Sequence, residues 1–507
     1  MSTLLLIAAL IAPVAANAEP TLVLDKPVVM ANLEKRGLSL HARLGAKGPN
    51  NTVELHKKSR WSDVARVLSA DLARIKRSDA RAGPSLRHTH RLFDARWLRS
   101  EATRFELVAV VNRIDRQVFA PKTCGETRLV YRLAYTKPVG ETTVHSRLPI
   151  TVNLVYWQRR RTGQEGCAAT AKRWLVPASK TNAGATAATL LGDQGPLSGL
   201  ALHQSNLKSL EVNIQSVRWP STVHPSLGGH AEYIMRVFKP KNGRLVAATL
   251  ENTPDVRRLK SNRRLKKALL AWLADPAHFK AIDEGTALLP DRFLAKRSDS
   301  VTPRGLARLA NRPFRQLFRP ADFDKVDFSS GRFVKSPAGL LRRLDGRTCA
   351  GCHQSRSVAG FHMLGDDPPK MKVDALAHGH SDHFEQDLKR RARFNTALRE
   401  GKEDGARGLA ERLENEGVHG SHCGLGDASF AAWTCGSGLV CKRLEDAEVG
   451  VCVAGKATEI GDPCEVGSIR SRSQGHRDRV RRVRRWPCGP GRVCEVNSVG
   501  FPNGMCA

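Results

Sequence analysis

"ETRLVYRLAYT", residues Glu126 to Thr136, alternates apolar and polar side chains and is rich in Leu, Val, Tyr and Thr. That period of two reads as a β-strand. A similar run stands on either side of it: "RFELVAVVNRID" (Arg104–Asp115) and "RLPITVNLVYWQ" (Arg147–Gln158). Three such runs in succession predict an antiparallel sheet. "LEVNIQSVRW" (Leu210–Trp219) and the pair "AEYIMRVFKP" and "GRLVAATLEN" (Ala231–Pro240 and Gly243–Asn252) add further strands. The pair joins at Lys241-Asn242-Gly243, and Asn-Gly between two apolar runs is a strong hairpin signal. Cys124 precedes the central run and Cys167 follows the third. They are the only cysteines of this half, so one disulfide clamping the sheet is the economical reading. Upstream, "WSDVARVLSADLARIKR" (Trp61–Arg77) predicts a basic helix.

The chain has 507 residues, enough for two to four domains and a sizeable core. Its 82 Lys and Arg against 49 Asp and Glu leave a formal charge of +33. Such a surface attracts anionic polymers, lipid headgroups or acidic partners. Aromatic residues make up only 6%, with four Tyr, which matches poorly a stacking platform for single-stranded nucleic acid. No specific nucleic-acid partner is expected. The opening "MSTLLLIAALIAPVAANAEP" carries an apolar core and then Ala16-Asn17-Ala18, the small-x-small pattern of a secretory signal over residues 1–18. No later stretch of about 18 apolar residues appears, so no membrane span is expected. A periplasmic or secreted location would place the twelve cysteines in an oxidising compartment.

At "ENTPDVRRLKSNRRLKKALLAWLADP" the pattern changes. Thr253 fits a helix N-cap, Pro254 the first helical position and Asp255 the positive helix end. The expected class is α+β: an antiparallel-sheet N-terminal half, a helical middle and a small disulfide-rich end. The layout reads as a mainly β domain over 19–250, a basic helical region over 251–345, a CxxCH segment over 346–416 and a cysteine-rich double repeat over 417–507. In that repeat Cys423, Cys435, Cys441 and Cys452 are echoed by Cys464, Cys488, Cys494 and Cys506, around a shared Cys-Gly-x-Gly-x-Val-Cys core. Four cysteines per unit imply two disulfides with three possible connectivities. Units this small cannot build an adequate core without crosslinks.

Cys349-Ala350-Gly351-Cys352-His353 has the spacing of c-type haem attachment: two thiols reach two vinyl groups of one porphyrin edge, and the histidine turns toward the iron. The pentapeptide resembles the haem-attachment motif of c-type cytochromes. The resemblance implies haem c bound by Cys349, Cys352 and His353, with electron transfer or a related redox role and a redox partner. Such cytochromes supply a distal methionine well downstream; here Met363 and Met371 are close by, and Met363 is the candidate second iron ligand. His362, His378, His380 and His383 are also available. The competing reading is a Cys349–Cys352 disulfide in a non-enzymatic secreted binding protein.

"HGHSDH" (His378, His380, Asp382, His383) resembles the metal signature of metallo-β-lactamase-like hydrolases, but a charged helix and the crosslinked tail follow it where that fold needs a β-sandwich and further ligands. Between Arg470 and Arg485 the loop from Cys464 to Cys488 carries eight arginines, a candidate grip for an anionic surface polymer. There is no P-loop, no Gly-x-Gly-x-x-Gly after a strand and no nucleophile elbow, so no catalytic residue is assigned. Finally, "VAVVNRID", "RLPITVNLVY" and "LENTPD" ahead of "TCAGCHQSRSVAGFH" look like a group of large exported bacterial proteins, often myxobacterial, that carry a late CxxCH. That resemblance supports export and layout, and it implies no reaction.

Overall fold

The computed structural model describes residues 21–507 apart from 86, 89, 161–165, 177–181, 220–229, 302–310, 352–364, 366–381, 402–404, 410–416, 419–420, 444–447, 455–462, 466–487 and 496–502. The expected signal segment lies outside the described residues.

The β-rich half forms a ten-stranded sheet. Its strands are β1 (Val23–Leu24), β2 (Ala82–Gly83), β3 (His90–Leu92), β4 (Thr103–Arg113), β5 (Thr123–Val139), β6 (Thr142–Arg159), β7 (Leu207–Trp219), β8 (His230–Lys241), β9 (Arg244–Ala248) and β10 (Ser298–Val301). From β4 to β8 the strands lie side by side, antiparallel throughout. β1 closes one edge at β4, and β9 and β10 share the far side of β8. β3 continues along β7, with β2 parallel to it. At the β8–β9 turn Asn242 (φ 49°) and Gly243 (φ 74°) are both left-handed, the backbone that a two-residue hairpin of this kind demands.

The helices are α1 (Pro27–Leu33), α2 (Leu40–Arg43), α3 (Thr52–Lys58), α4 (Trp61–Ser78), α5 (Ala168–Arg173), α6 (Ala183–Leu191), α7 (Val256–Ser261), α8 (Arg263–Ala274), α9 (Pro276–Asp283), α10 (Pro337–Gly346) and α11 (Asp382–Arg399). Strand alternation sends Leu129, Tyr131 and Leu133 of β5, Val152 and Leu154 of β6, and Leu210 and Val212 of β7 to one face. There they bury against α1, α4 and α6. On α4 the residues Trp61, Val64, Leu68 and Leu72 recur every three or four positions, so one stripe meets the sheet. Trp61 packs edge-on to Phe105, ring centres 4.8 Å apart. Each such side chain contributes about 1.5–3 kcal/mol on burial.

The opposite face differs in kind. Arg128 and Arg132 of β5, Thr151 and Asn153 of β6 and Ser209 and Glu211 of β7 point there, and all are buried. C-terminal segments cover it: Leu388 of α11 packs on Val108, Val111 and Val130, while Phe394 and Leu398 pack beside the Cys124–Cys167 disulfide. That bond fixes the start of β5 to α5.

Residues 251–345 are only partly helical. α7 to α10 are present, but the stretch also supplies β10, which completes the sheet beside β8, together with short turns. The start of α7 also differs from expectation. Its cap is Asp255, whose Oδ1 accepts the Arg258 N–H at 3.1 Å. Pro254 lies outside the helix, in a bridge with Leu294. Thr253 is held elsewhere, as the site below explains.

The C-terminal region holds two three-stranded sheets. One comprises β11 (His422–Gly424), β12 (Leu439–Lys442) and β13 (Val449–Ala454); the other comprises β14 (Pro463–Glu465), β15 (Cys494–Glu495) and β16 (Asn503–Cys506). Of the three connectivities, both units take the same one, first to third and second to fourth: Cys423–Cys441 with Cys435–Cys452, and Cys464–Cys494 with Cys488–Cys506. Sulfurs of Cys423, Cys435 and Cys452 lie within 4.8 Å of one another because two disulfides stack, and a bonded sulfur is no thiolate ligand. The first unit is clamped to α10. Ser336, the N-cap of α10, donates to Asp427 at 2.7 Å, and Glu448 faces Arg312, Arg315 and Arg342.

Candidate functional site

α10 ends at Gly346 and delivers the chain into a tight turn over Thr348–Gly351. Thr348 Oγ1 donates to the Asp345 carbonyl and accepts the Gly351 N–H, each at 2.8 Å. A side chain at Gly351 would strike the Asp345 carbonyl, so this position needs glycine. Thr348, Ala350 and Gly351 are buried, and Cys349 is half-buried in a corner with Met235, Val237 and Leu250. The Cys349 N–H donates to Thr253 Oγ1 at 2.8 Å, and that hydroxyl donates to the Glu251 carbonyl. Thr253 therefore ties "LENTPD" to the first cysteine of CxxCH. Between them, Asn252 adopts a left-handed φ of 53° and is buried, its amide bonded to the Ala287 carbonyl and the Leu289 N–H.

The third partner is the end of β4. Arg116 reaches Glu251 at 2.5 Å and lies 3.5 Å from Glu126. Arg116 and Arg347 both sit over the Phe119 ring, at 3.9 and 5.3 Å from its centre. Three stretches far apart in sequence, 112–116, 250–255 and 346–351, thus meet at one corner of the sheet.

Two nests of charge flank this corner. In the first, Glu126, fully buried, meets Lys208, Arg128 and Arg116, and Arg128 continues to Glu211 at 3.1 Å. Burial alone would raise the Glu126 carboxyl, but the three cations outweigh it and hold it well below the usual carboxylate range. In the second, Asp115 pairs with Arg113 and Arg390, and Asp387 of α11 with Arg390, Arg391 and Arg407. Cations outnumber carboxylates here. Burial, with Arg116 close by, brings the Arg347 guanidinium down to about 10.

Of the residues expected to hold haem, Cys349 is placed by this turn; Cys352, His353 and Met363 lie outside the described residues, as do His378 and His380. Asp382 and His383 open α11. Cys349 and Cys352 are the two cysteines outside the five disulfides. The described surroundings fit a haem edge: Met235, Val237 and Leu250 offer apolar contact at Cys349, and the Arg347 guanidinium, over the Phe119 ring nearby, suits a carboxylate. Thr253, Glu251, Arg116 and Arg347 were not singled out from the sequence as site residues, although all four stand in or beside stretches quoted from it. Nothing in a linear pattern says that two strand ends and a helix end share a corner. Compared with known proteins, the chain matches no family model, no curated protein and no solved structure.

Proposed function

We propose that the protein is exported and carries one covalent haem c on Cys349 and Cys352, with His353 as an iron ligand, in electron transfer or a related redox step. The observation that carries the reading is CxxCH at residues 349–353, with its first cysteine on a rigid, hydrogen-bonded turn. Haem would supply a one-electron couple, tuned by its axial ligands and by nearby charge. The chain's part is positioning. Thr348 and Gly351 fix the turn, Thr253 sets the first cysteine against β8, and Arg347 provides positive charge where a carboxylate of a bound group would be neutralised. Five disulfides, and the absence among the described residues of any helix long and apolar enough to cross a membrane, accord with a periplasmic or secreted location.

The test is expression in a host with haem-attachment machinery, then a pyridine haemochrome spectrum and an in-gel haem stain on denatured protein. Haem that survives denaturation, and is lost in Cys349→Ser and Cys352→Ser, is the expected result. A colourless, correctly processed protein overturns it. The second reading, a secreted protein binding an anionic surface polymer with Cys349–Cys352 as a disulfide, is favoured by the fact that the other ten cysteines are all disulfide-bonded. A mass two hydrogens below the reduced peptide, without haem, identifies it.

A further inference from the structure

Away from the CxxCH corner, a cavity of about 500 Å³ opens between the ends of β5 and β6, α5 and the loop before β7. That volume lies within the range of about 300–1,000 Å³ typical of small-molecule sites. One wall is apolar: Trp174, fully buried, with Pro196, Leu200 and Ala201. The other is basic: Arg159, Arg160, Arg173 and His203 line it, and among the described residues no carboxylate does.

The contrast with the buried nests is what points to a ligand. Arg116, Arg128 and Arg390 each meet a carboxylate. Arg159 and Arg160 spend their donors on neutral oxygens instead. Arg159 Nε donates to Asn206 Oδ1 at 2.5 Å and its Nη2 to the Ser205 carbonyl at 3.2 Å; Arg160 Nη2 donates to the Pro121 carbonyl at 2.6 Å. These bonds hold the guanidinium groups in place, and among the described residues no carboxylate pairs with either. The walls are fixed as well. Asn206 donates to the carbonyls of Leu200 and Ala201, Trp174 Nε1 donates to Gln158 at 3.1 Å, and the Cys124–Cys167 disulfide secures α5 to β5. A pre-ordered guanidinium pair beside the apolar lining of Leu200 and Ala201 matches an anionic head on an apolar body, because arginine binds carboxylate and phosphate through paired N–H donors.

We propose that this cavity binds a small organic anion, a carboxylate or phosphate ester carried on an apolar or aromatic body. Titration calorimetry of the full chain with phenyl phosphate, benzoate and neutral benzamide tests it. The expected result is salt-sensitive binding of at least one anion, at least about tenfold tighter than benzamide, which is about 1.4 kcal/mol. The ranking of phenyl phosphate against benzoate tells the phosphate source from the carboxylate source, and either order supports the site. Arg159→Ala combined with Arg160→Ala should weaken binding at least about tenfold, and Ala201→Trp, which fills the cavity while keeping every arginine in the chain, should abolish it. Arg66→Ala on α4 should leave it unchanged. Equal binding of benzamide, no binding of either anion, or full binding by the Ala201→Trp variant overturns the proposal. If the double arginine variant fails to fold, Ala201→Trp alone decides.

Discussion

The two faces of the central sheet are equally buried and held by opposite means. Under α1, α4 and α6, Leu129, Tyr131, Val152, Leu154 and Leu210 form an apolar layer, which shape and burial stabilise without directional demands. Under α11 and the CxxCH corner, Glu126, Arg128, Asp115 and Asp387 lie in ion-pair networks, where each charge has lost water and depends on its partners. The first face tolerates volume-conserving changes. The second punishes the removal of a single partner, because what remains is an uncompensated buried charge. The sequence motifs gather on that second side, so the demanding face is also the one that positions Cys349.

The largest effect that would test this difference is Glu126→Ala. It takes away the carboxylate that Lys208, Arg128 and Arg116 share, leaving Arg128 to Glu211 and Arg116 to Glu251, and equilibrium unfolding should show a loss of about 3–5 kcal/mol. If Glu126→Ala proves nearly silent, the charged face is not the fragile one. Next, Cys124→Ser with Cys167→Ser opens a loop of 43 residues' separation that ties β5 to α5, and about 4 kcal/mol should disappear by the chain-entropy relation. On the apolar face, Leu154→Ala should cost about 2–5 kcal/mol, and Leu154→Met less than about 1.5 kcal/mol. That gap between truncation and isosteric change should have no counterpart at Glu126.

Titration sharpens the comparison further. Glu126 and Asp115 have carboxyls held down in the folded state. Their contribution is present above the unfolded value near 4 and is lost as pH falls below it. Asp345 behaves with the opposite sign. Burial pushes its carboxyl up to about 8, against the Phe314 N–H at 2.7 Å and nearby Arg312. Its contribution is fully present below about pH 4 and is lost as pH rises toward 8, so Asp345→Asn should flatten that decline in a stability–pH series. The smallest effect belongs to the surface: Arg66→Ala removes an exposed arginine that reaches Asp63 at i,i+3, and should cost less than about 1 kcal/mol.

Much of the fold was legible because local pattern carries it. Strand alternation around Glu126–Thr136, the Asn242-Gly243 hairpin and the α4 stripe are all short-range statements. The burial of the charged face was not legible, for a physical reason. Arg128 and Arg132 alternate with Leu129, Tyr131 and Leu133 as they would on a solvent-facing strand, and period two cannot tell water from a second covering layer. Thr253 misled. Threonine before Pro254 and Asp255 has the chemistry of a helix cap, but its hydroxyl is occupied by the Cys349 N–H from 96 residues away.

By itself, the sequence determined the strands, the helix stripes, the cysteine repeat and the CxxCH spacing, since each depends on residues near one another in the chain. Tertiary structure alone decided how the four cysteines of each repeat unit join, that β10 completes the sheet, that the arginines of β5 are buried, and that residues 112–116, 250–255 and 346–351 share one corner. Those outcomes turn on contacts between distant segments, whose energies come from burial and charge pairing rather than from local conformational preference.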